Sequence, residues 1–301
     1  MRRRAAVAYV AGLGVAITLS GGGAAPAGTG SELEGFAFAI GNGTLGGSNA
    51  TLSQRYAPFD LVVVDGEEAS AGQVEAIKLQ GAQVLAYLSV GTIESWRSWY
   101  PRLKRYRLAA WRDWRDEWFA DTSKAGLRRR LKRVADEVIL PKGFDGLFLD
   151  NVDMVEVAKH RPQRRGMGKL VAKLDSVVGD GLLFAQNGAR GVLTGYPARG
   201  VEPLAGHLDG WNREDVTWTF DFDRRRYVRN PARERGRALG ELEGMAGLGL
   251  LTTATDYVRL DDGISAGECE AVGNAEAAGA LPYLADIGLT RKAVEANPPT
   301  C

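Results

Sequence analysis

The sequence predicts an α/β protein folded as a single (β/α)8 TIM barrel, and three observations lead there. Eight short apolar runs recur along the chain with amphipathic segments between them, the element count that a closed barrel requires. Polar residues gather at the C-terminal end of run after run. The most apolar of these runs lies in Gly143-Phe144-Asp145-Gly146-Leu147-Phe148-Leu149-Asp150-Asn151-Val152-Asp153 and stops abruptly on carboxylates. Carboxylates at the end of a buried strand are costly to place there unless they are used. Strand alternation puts Gly146, Phe148 and Asp150 on one face, so Asp150 caps an inward-facing column, where a barrel enzyme keeps its catalytic acids.

The N-terminus reads Met1-Arg2-Arg3-Arg4, then a small and apolar stretch over 5–19, then Ser20 through Ala25-Pro26-Ala27. A basic start, an apolar middle and an A-x-A-like site make a secretory signal, so residues 1–27 are expected to be a leader cut after Ala27, with 28–301 the mature barrel domain. The apolar run falls short of the about 20 residues a membrane span needs. The expected location is therefore extracellular, with no stable membrane insertion once the leader is removed.

The strands are expected at 36–42, 61–65, 84–90, 146–150, 182–187, 208–214, 248–254 and 281–287. Helical periodicity is clearest at Leu127, Leu131, Val134 and Val138, and again at Leu170, Leu174, Val177 and Val178. Residues 232–245 read as a charged surface helix of the kind that coats a barrel. The mature length suits one barrel of about 250 residues, and no Pro-rich or Ser-rich linker divides it. The competing architecture is an open doubly wound sheet, but no Gly-rich phosphate fingerprint follows any strand.

Composition narrows the function. The 301 residues are 45% hydrophobic and 25% charged, with 38 Lys+Arg against 37 Asp+Glu and a formal net charge of +1. No global field points to nucleic acid or an anionic membrane, so charge-based recognition must be local. Only His160 and His207 are present, which disfavours a His-rich zinc site, and no G-x-S-x-G elbow is found. No metal and no cofactor is expected. Cys269 and Cys301 pair in an oxidising compartment, tying the tail to the last helix, or remain two unrelated thiols.

The polar strand ends are Asp65 with Glu67 and Glu68, Ser89 with Glu94, Asp150 with Asn151 and Asp153, Gln186 with Asn187, Glu214 with Asp215, Thr255 with Asp256, and Asp286. In a (β/α)8 barrel these ends converge on one acidic cleft. Acids without matching His or Cys fit a carboxylate pair acting on a glycosidic bond, one protonating the leaving oxygen and the other serving as nucleophile or activating water. Aromatic residues cluster at Trp96, Trp99, Tyr100, Tyr106, Trp111, Trp114, Trp118 and Phe119, and Trp211 and Trp218 flank Glu214. Most are expected to pack helices onto the barrel, the remainder to rim the cleft, where flat sugar faces would rest.

Val84-Leu85-Ala86-Tyr87-Leu88-Ser89-Val90-Gly91 followed by Glu94-Ser95-Trp96-Arg97 resembles the "aYisvG…E-[DS]-[WY]-R" signature of the endo-α-1,4-polygalactosaminidases, glycoside hydrolase family 114. The resemblance continues through Trp118-Phe119-Ala120-Asp121, Gly143-Phe144-Asp145-Gly146, Asp150-Asn151-Val152-Asp153 and Asn212-Arg213-Glu214, covering 59–214 well and the remainder weakly. It implies a secreted barrel that hydrolyses α-1,4-linked galactosamine-rich polysaccharide without a metal, with Asp150 and Glu214 as the catalytic carboxylates. It also implies that Asp65, Tyr87, Glu94, Arg97, Asp121, Asn151 and Asp153 line or brace the cleft, to which the strand-end reading adds Asn187, Trp211 and Asp256 as substrate-binding candidates. Two departures stand out. Ile40-Gly41-Asn42-Gly43-Thr44-Leu45 lacks the family's aromatic-Gln-Leu pattern, and no Cys follows the Asn-Arg-Glu-Asp-Val around Glu214. Apolar Trp211 and Trp218 against Glu214 would raise its pKa and favour it as the acid, with Asp150 as nucleophile. A glycosidase for another α-linked glycan and a catalytically silent polysaccharide-binding barrel remain as alternatives.

Overall fold

A computed structural model describes residues 33–156, 163–188, 203–261, 263–299 and 301. The proposed leader, 1–27, and His160 lie outside the described residues.

Eight parallel strands make the central sheet: β1 (Phe36–Ala39), β2 (Leu61–Asp65), β3 (Gln83–Ser89), β7 (Gly146–Asp150), β8 (Leu182–Gln186), β9 (Gly210–Glu214), β12 (Leu251–Tyr257) and β13 (Leu281–Ala285), hydrogen-bonded in that order. Their residues are mostly apolar and largely buried, as in Leu-Val-Val-Val-Asp of β2 and Gly-Leu-Phe-Leu-Asp of β7, the composition expected of a parallel sheet covered on both faces. The ring is nearly closed where β13 comes back beside β1. There the Phe36 and Tyr283 rings meet edge-on at 5.9 Å, and just beyond the strands Gly41 N–H donates to Leu289 O at 3.0 Å.

Helices α1 (Asn49–Tyr56), α2 (Ala71–Lys78), α4 (Ala125–Val134), α5 (Arg164–Val178), α6 (Ala232–Ala246), α7 (Ala266–Ala277) and α8 (Arg291–Ala296) fill the connections, with a single turn, α3 (Tyr100–Leu103), in the third. Their packing faces follow the helical period: Leu127, Leu131 and Val134 of α4, and Met167, Leu170, Val171 and Leu174 of α5, are buried. Val138 departs from the expected face because the chain widens into a π-turn over Ala135–Ile139, which rotates it outward.

Two excursions leave the barrel at its C-terminal end. Between β3 and β7 the chain builds an antiparallel three-stranded sheet from β4 (Thr92–Glu94), β5 (Arg107–Ala110) and β6 (Glu117–Ala120), and between β9 and β12 it builds a hairpin from β10 (Trp218–Asp221) and β11 (Arg226–Arg229).

Two expectations are corrected here. The seventh barrel strand spans Leu251–Tyr257 rather than 248–254, because Leu248 is exposed and Gly249 turns with φ +84° after α6. Cys269 and Cys301 are disulfide-bonded, but Cys269 sits on α7 and not on the last helix.

The barrel interior is filled by aromatic rings directly beneath the strand ends. Phe38 packs on Phe148 at 4.9 Å and on Tyr87 at 6.3 Å, and Phe148 stacks on Phe184 at 6.5 Å. Gly210 makes this layer possible, since a Cβ there would lie 2.1 Å from the Phe184 ring. Gly210→Ala is expected to lower unfolding stability by about 1–3 kcal/mol through overpacking. Chemical denaturation of the pure variant checks this, and a parental midpoint would show that the ring has room to move.

Candidate active site

Each functional side chain owes its place to strand alternation. Asp65 on β2, Tyr87 on β3, Asp150 on β7, Gln186 on β8, Glu214 on β9 and Tyr257 on β12 all occupy inward positions at the C-terminal ends of their strands. Immediately after three of these strands the chain turns off through left-handed residues, Asn151 (φ 62°), Asn187 (φ 57°) and Asp215 (φ 56°). Asn and Asp are the side chains that tolerate this conformation best. Gly91 is what lets Asn151 sit there, because a Cβ on Gly91 would fall 1.7 Å from Asn151 O.

Asp150 is half-buried in the cavity wall and hydrogen-bonded on both oxygens. Its Oδ1 accepts from Asn151 N–H at 2.6 Å and Gln186 Nε2 at 2.9 Å, and its Oδ2 accepts from Tyr87 Oη at 2.7 Å and Asn151 Nδ2 at 3.1 Å. Burial pushes its pKa up, and the bonds from Tyr87, Asn151 and Gln186 pull it back. Four donors occupy the lone pairs of an ionised carboxylate. Burial holds the Tyr87 hydroxyl well above its ordinary pKa, so it stays a donor. Gln186 in turn accepts from Asn212 Nδ2 at 3.0 Å, and Asn212 Oδ1 accepts from Thr253 at 2.7 Å and Thr255 at 3.2 Å, which fixes the amide orientations across four strands.

Glu214 has fewer donors and more acidic neighbours. Its Oε1 accepts from Tyr257 Oη and its Oε2 from Asn187 Nδ2 at 2.8 Å. Asn187 is oriented by accepting from Glu214 N–H and Arg213 Nη1 on its Oδ1, both at 3.1 Å. Burial first, then the charges of Asp150 and Asp215, push the Glu214 pKa to about 8 against the smaller downward pull of Tyr257 and Asn187. Glu214 therefore keeps its proton near neutral pH, whereas Asp150 has the fuller set of donors.

Beside Asp150 lies an ionic cluster. Arg97 grips Glu94 through Nε at 2.7 Å and Nη2 at 3.2 Å, donates to Asp65 through Nη1 at 2.8 Å, and has Tyr87 and Trp99 rings 5.8 Å from its Cζ. Asp65 Oδ1 also accepts from Glu67 N–H and Glu68 N–H, both at 2.9 Å, so it braces the β2 turn. Glu117, from β6, accepts from Thr92 at 3.0 Å; burial and the nearby Glu94 charge raise its pKa to about 8.

These groups surround a cavity of about 230 Å3 that includes Asp65, Tyr87, Glu94, Arg97, Asp150, Asn151 and Glu214 in its walls. A second pocket of about 200 Å3 opens on the other side of Glu214, with Asp153, Asn187 and Asp215 in its walls, and the two share Trp111, Trp114, Asn151, Glu214, Tyr257 and Ile287. The first cavity carries six carboxyl groups and one guanidinium, and even with Glu117 and Glu214 protonated the acids outnumber Arg97, so the field at its mouth favours a cation.

Three expected residues are not brought to the cleft. Asp121 follows a strand of the small sheet, where it accepts from Ser123 N–H at 3.2 Å and pairs with Lys124 at 3.6 Å. Asp256 faces outward from β12 and accepts from Thr217 N–H at 2.6 Å and Trp218 N–H at 2.7 Å, fastening the hairpin. Trp211 also faces outward, fully buried, and donates to Asn187 O at 2.7 Å. The raised pKa of Glu214 consequently comes from burial and neighbouring acids rather than from Trp211 and Trp218. Tyr257 and Glu117 were not foreseen as site residues. The three-residue displacement of β12 from 248–254 to Leu251–Tyr257 hid the first, and the second sits in an excursion without barrel periodicity.

The chain matches the sequence profile of glycoside-hydrolase family GH114 over residues 24–176, slightly more than half of its length. A protein of Deinococcus radiodurans is 34% identical over 118 residues, a match that spans 36% of this chain and 38% of that protein. Among solved structures, the glycoside hydrolase domain of PelA from Pseudomonas aeruginosa superposes with a TM-score of 0.68 at 24% identity, covering 86% of this chain and 96% of that one. Aspergillus fumigatus Ega3, solved with galactosamine, gives 0.65 at 14% identity and covers 86% and 93%. At these identities the two structures establish the barrel fold.

Glu117→Gln provides a test of the buried acids. A carboxyl whose folded pKa is raised to about 8 contributes stability that is present below its unfolded value and is lost as pH rises through 8. The variant should match the parent near pH 4 and exceed it by roughly 1–4 kcal/mol at pH 9. Denaturant unfolding at the two pH values reads the difference, and equal stability at pH 9 would mean that Glu117 ionises without cost.

Proposed function

The chain belongs to glycoside-hydrolase family GH114, and from that premise we propose that it is a secreted glycosidase hydrolysing α-1,4-linked galactosamine-rich polysaccharide with Asp150 and Glu214 as its carboxylate pair. The observation that carries this reading is the contrast between the two acids. Glu214 keeps its proton to about pH 8, while Asp150 sits among four donors of the kind that hold a carboxylate. Glu214 donates its proton to the leaving glycosidic oxygen as that bond breaks, and the Asp150 carboxylate meets the positive charge developing at the anomeric carbon from the other side. Water supplies the hydroxyl that completes hydrolysis, and its second proton restores Glu214.

The substrate class is inferred from charge. The excess of carboxylates over the single Arg97 guanidinium in the first cavity complements the ammonium groups of a deacetylated amino-sugar polymer. The galactosamine bound to Ega3 is in keeping with that. Arg97 is neutralised by Glu94 and Asp65, so it does not repel such a chain. Export through a leader over 1–27 would bring the enzyme to an extracellular polymer. Among the described residues no helix is long and apolar enough to cross a membrane.

Release of reducing ends from α-1,4-galactosamine polymer, with its fully N-acetylated form and a neutral α-1,4-glucan in parallel, tests the assignment. Turnover is expected on the deacetylated polymer, and turnover confined to the glucan would replace the sugar. Asp150→Asn and Glu214→Gln should each lower turnover by at least about 1,000-fold while unfolding stability stays within about 2 kcal/mol of the parent. In the parent, kcat/KM should fall as pH rises through about 8, where Glu214 loses its proton. A rate that keeps rising beyond pH 9 would remove Glu214 from the acid's role.

A further inference from the structure

Two aromatic arms meet above the carboxylates. Trp111 and Trp114 lie on the connection between β5 and β6, and Phe222 lies on the turn between β10 and β11. The Trp114 and Phe222 rings touch edge-to-face at 5.6 Å, so the excursion after β3 reaches across the cleft mouth to the excursion after β9. Trp114 is 37% exposed and Phe222 39% exposed, large apolar surface left facing solvent at the entrance of a polar cleft.

Both arms are held firmly. Trp111 stacks on Phe119 at 5.9 Å, and its N–H donates to Glu117 O at 2.9 Å. On the other side Phe220 packs against Phe222 at 5.2 Å and Tyr227 at 5.1 Å, while Tyr227 Oη accepts from Ile287 N–H at 3.2 Å, tying the hairpin to the loop after β13. The rings are therefore pre-positioned, which limits the ordering cost of gripping a ligand.

Beneath them lies the pocket on the far side of Glu214, walled by Trp114, Phe222, Asp153 and Asp215 with no Lys or Arg in its lining. Among the described residues, Asp215 Oδ1 is buried and has no hydrogen-bond partner, a costly state for a carboxylate oxygen. An occupant with one apolar face and donors on its rim would complement both features. A pyranose ring carrying an ammonium group is such an occupant.

Resting on the polysaccharide reading, we propose that Trp114 and Phe222 form an aromatic clasp that holds the sugar unit next to the scissile bond, its CH face on the rings and its ammonium toward Asp153 and Asp215. The two pockets then take successive units of one chain, one on each side of Glu214. The clasp is a determinant of affinity and of where along the polymer the bond is presented.

The experiment uses the full chain carrying Asp150→Asn, so that oligomers bind without turnover, and measures binding by calorimetry. The probes are a hexamer of α-1,4-galactosamine, its fully N-acetylated form and maltohexaose. Trp114→Ala and Phe222→Ala remove side chains more than a third exposed, and their thermal midpoints should stay at that of the Asp150→Asn parent. Each truncation is expected to weaken the galactosamine hexamer by about tenfold, with Trp114→Phe within about threefold of the parent. Leu79→Ala, an exposed residue of the α2–β3 connection, should change nothing. Parent binding of any of the three glycans that both truncations leave within about twofold would overturn the clasp while sparing the polysaccharide reading. Absence of binding by all three glycans to the parent would overturn that reading and the clasp with it.

Discussion

A carboxyl group set into a cavity wall needs donors, and the architecture around Asp150 follows from that need. Its four hydrogen bonds come from Tyr87 on β3, Gln186 on β8, and the backbone and side chain of Asn151 just past β7. To supply them, Gln186 has to be oriented by Asn212, and Asn212 by two threonines of β12. Interior positions of β9 and β12 that would otherwise hold apolar side chains are thereby committed to polar ones, each satisfied by its neighbour. The same negative charge acts on Glu214 and, together with burial, keeps its proton in place. Two carboxyl groups of the same chemistry thus meet different surroundings, four donors on Asp150 against two on Glu214.

The left-handed residues after β7, β8 and β9 serve this arrangement. By turning the chain sharply at Asn151, Asn187 and Asp215, they deliver backbone and amide donors back toward the strand they follow. Asn151 returns two donors to Asp150, and Asn187 returns its amide to Glu214 while its own oxygen is pinned by Glu214 N–H and Arg213. The two excursions add what the barrel cannot provide, namely Glu117 from the small sheet and the aromatic rings over the mouth.

Where an apolar run ends on a charge, the sequence shows the strand plainly: 61–65 and 146–150 are predicted and observed with the same limits, since a burial boundary and a charge boundary coincide there. Residues 248–254 mislead for the opposite reason. Leu248 and Leu250 resemble a strand but finish the turn after α6, whereas Thr253, Thr255 and Tyr257, polar in sequence, face the interior because Asn212 and Glu214 bond them. Counting strand ends by polarity alone also draws in Asp256, and the family motif draws in Asp121; both carboxylates cap backbone amides elsewhere. Side-chain parity, settled only once the register is known, separates Glu214 from its neighbour Trp211. The convergence of Asp65, Glu94, Asp150 and Glu214 on one cavity is legible from strand order and that of Arg97 from the family motif, but the donors around the two acids are spread over too many segments to be read together.

The account stands on the protonation state of Glu214, and site-resolved titration of its carboxyl by carbon-13 NMR measures that directly, with Glu214→Gln assigning the resonance. The account predicts a midpoint near 8 that moves down when Asp150→Asn removes the neighbouring charge. A midpoint in the ordinary carboxylate range near 4.3, indifferent to Asp150→Asn, would contradict it.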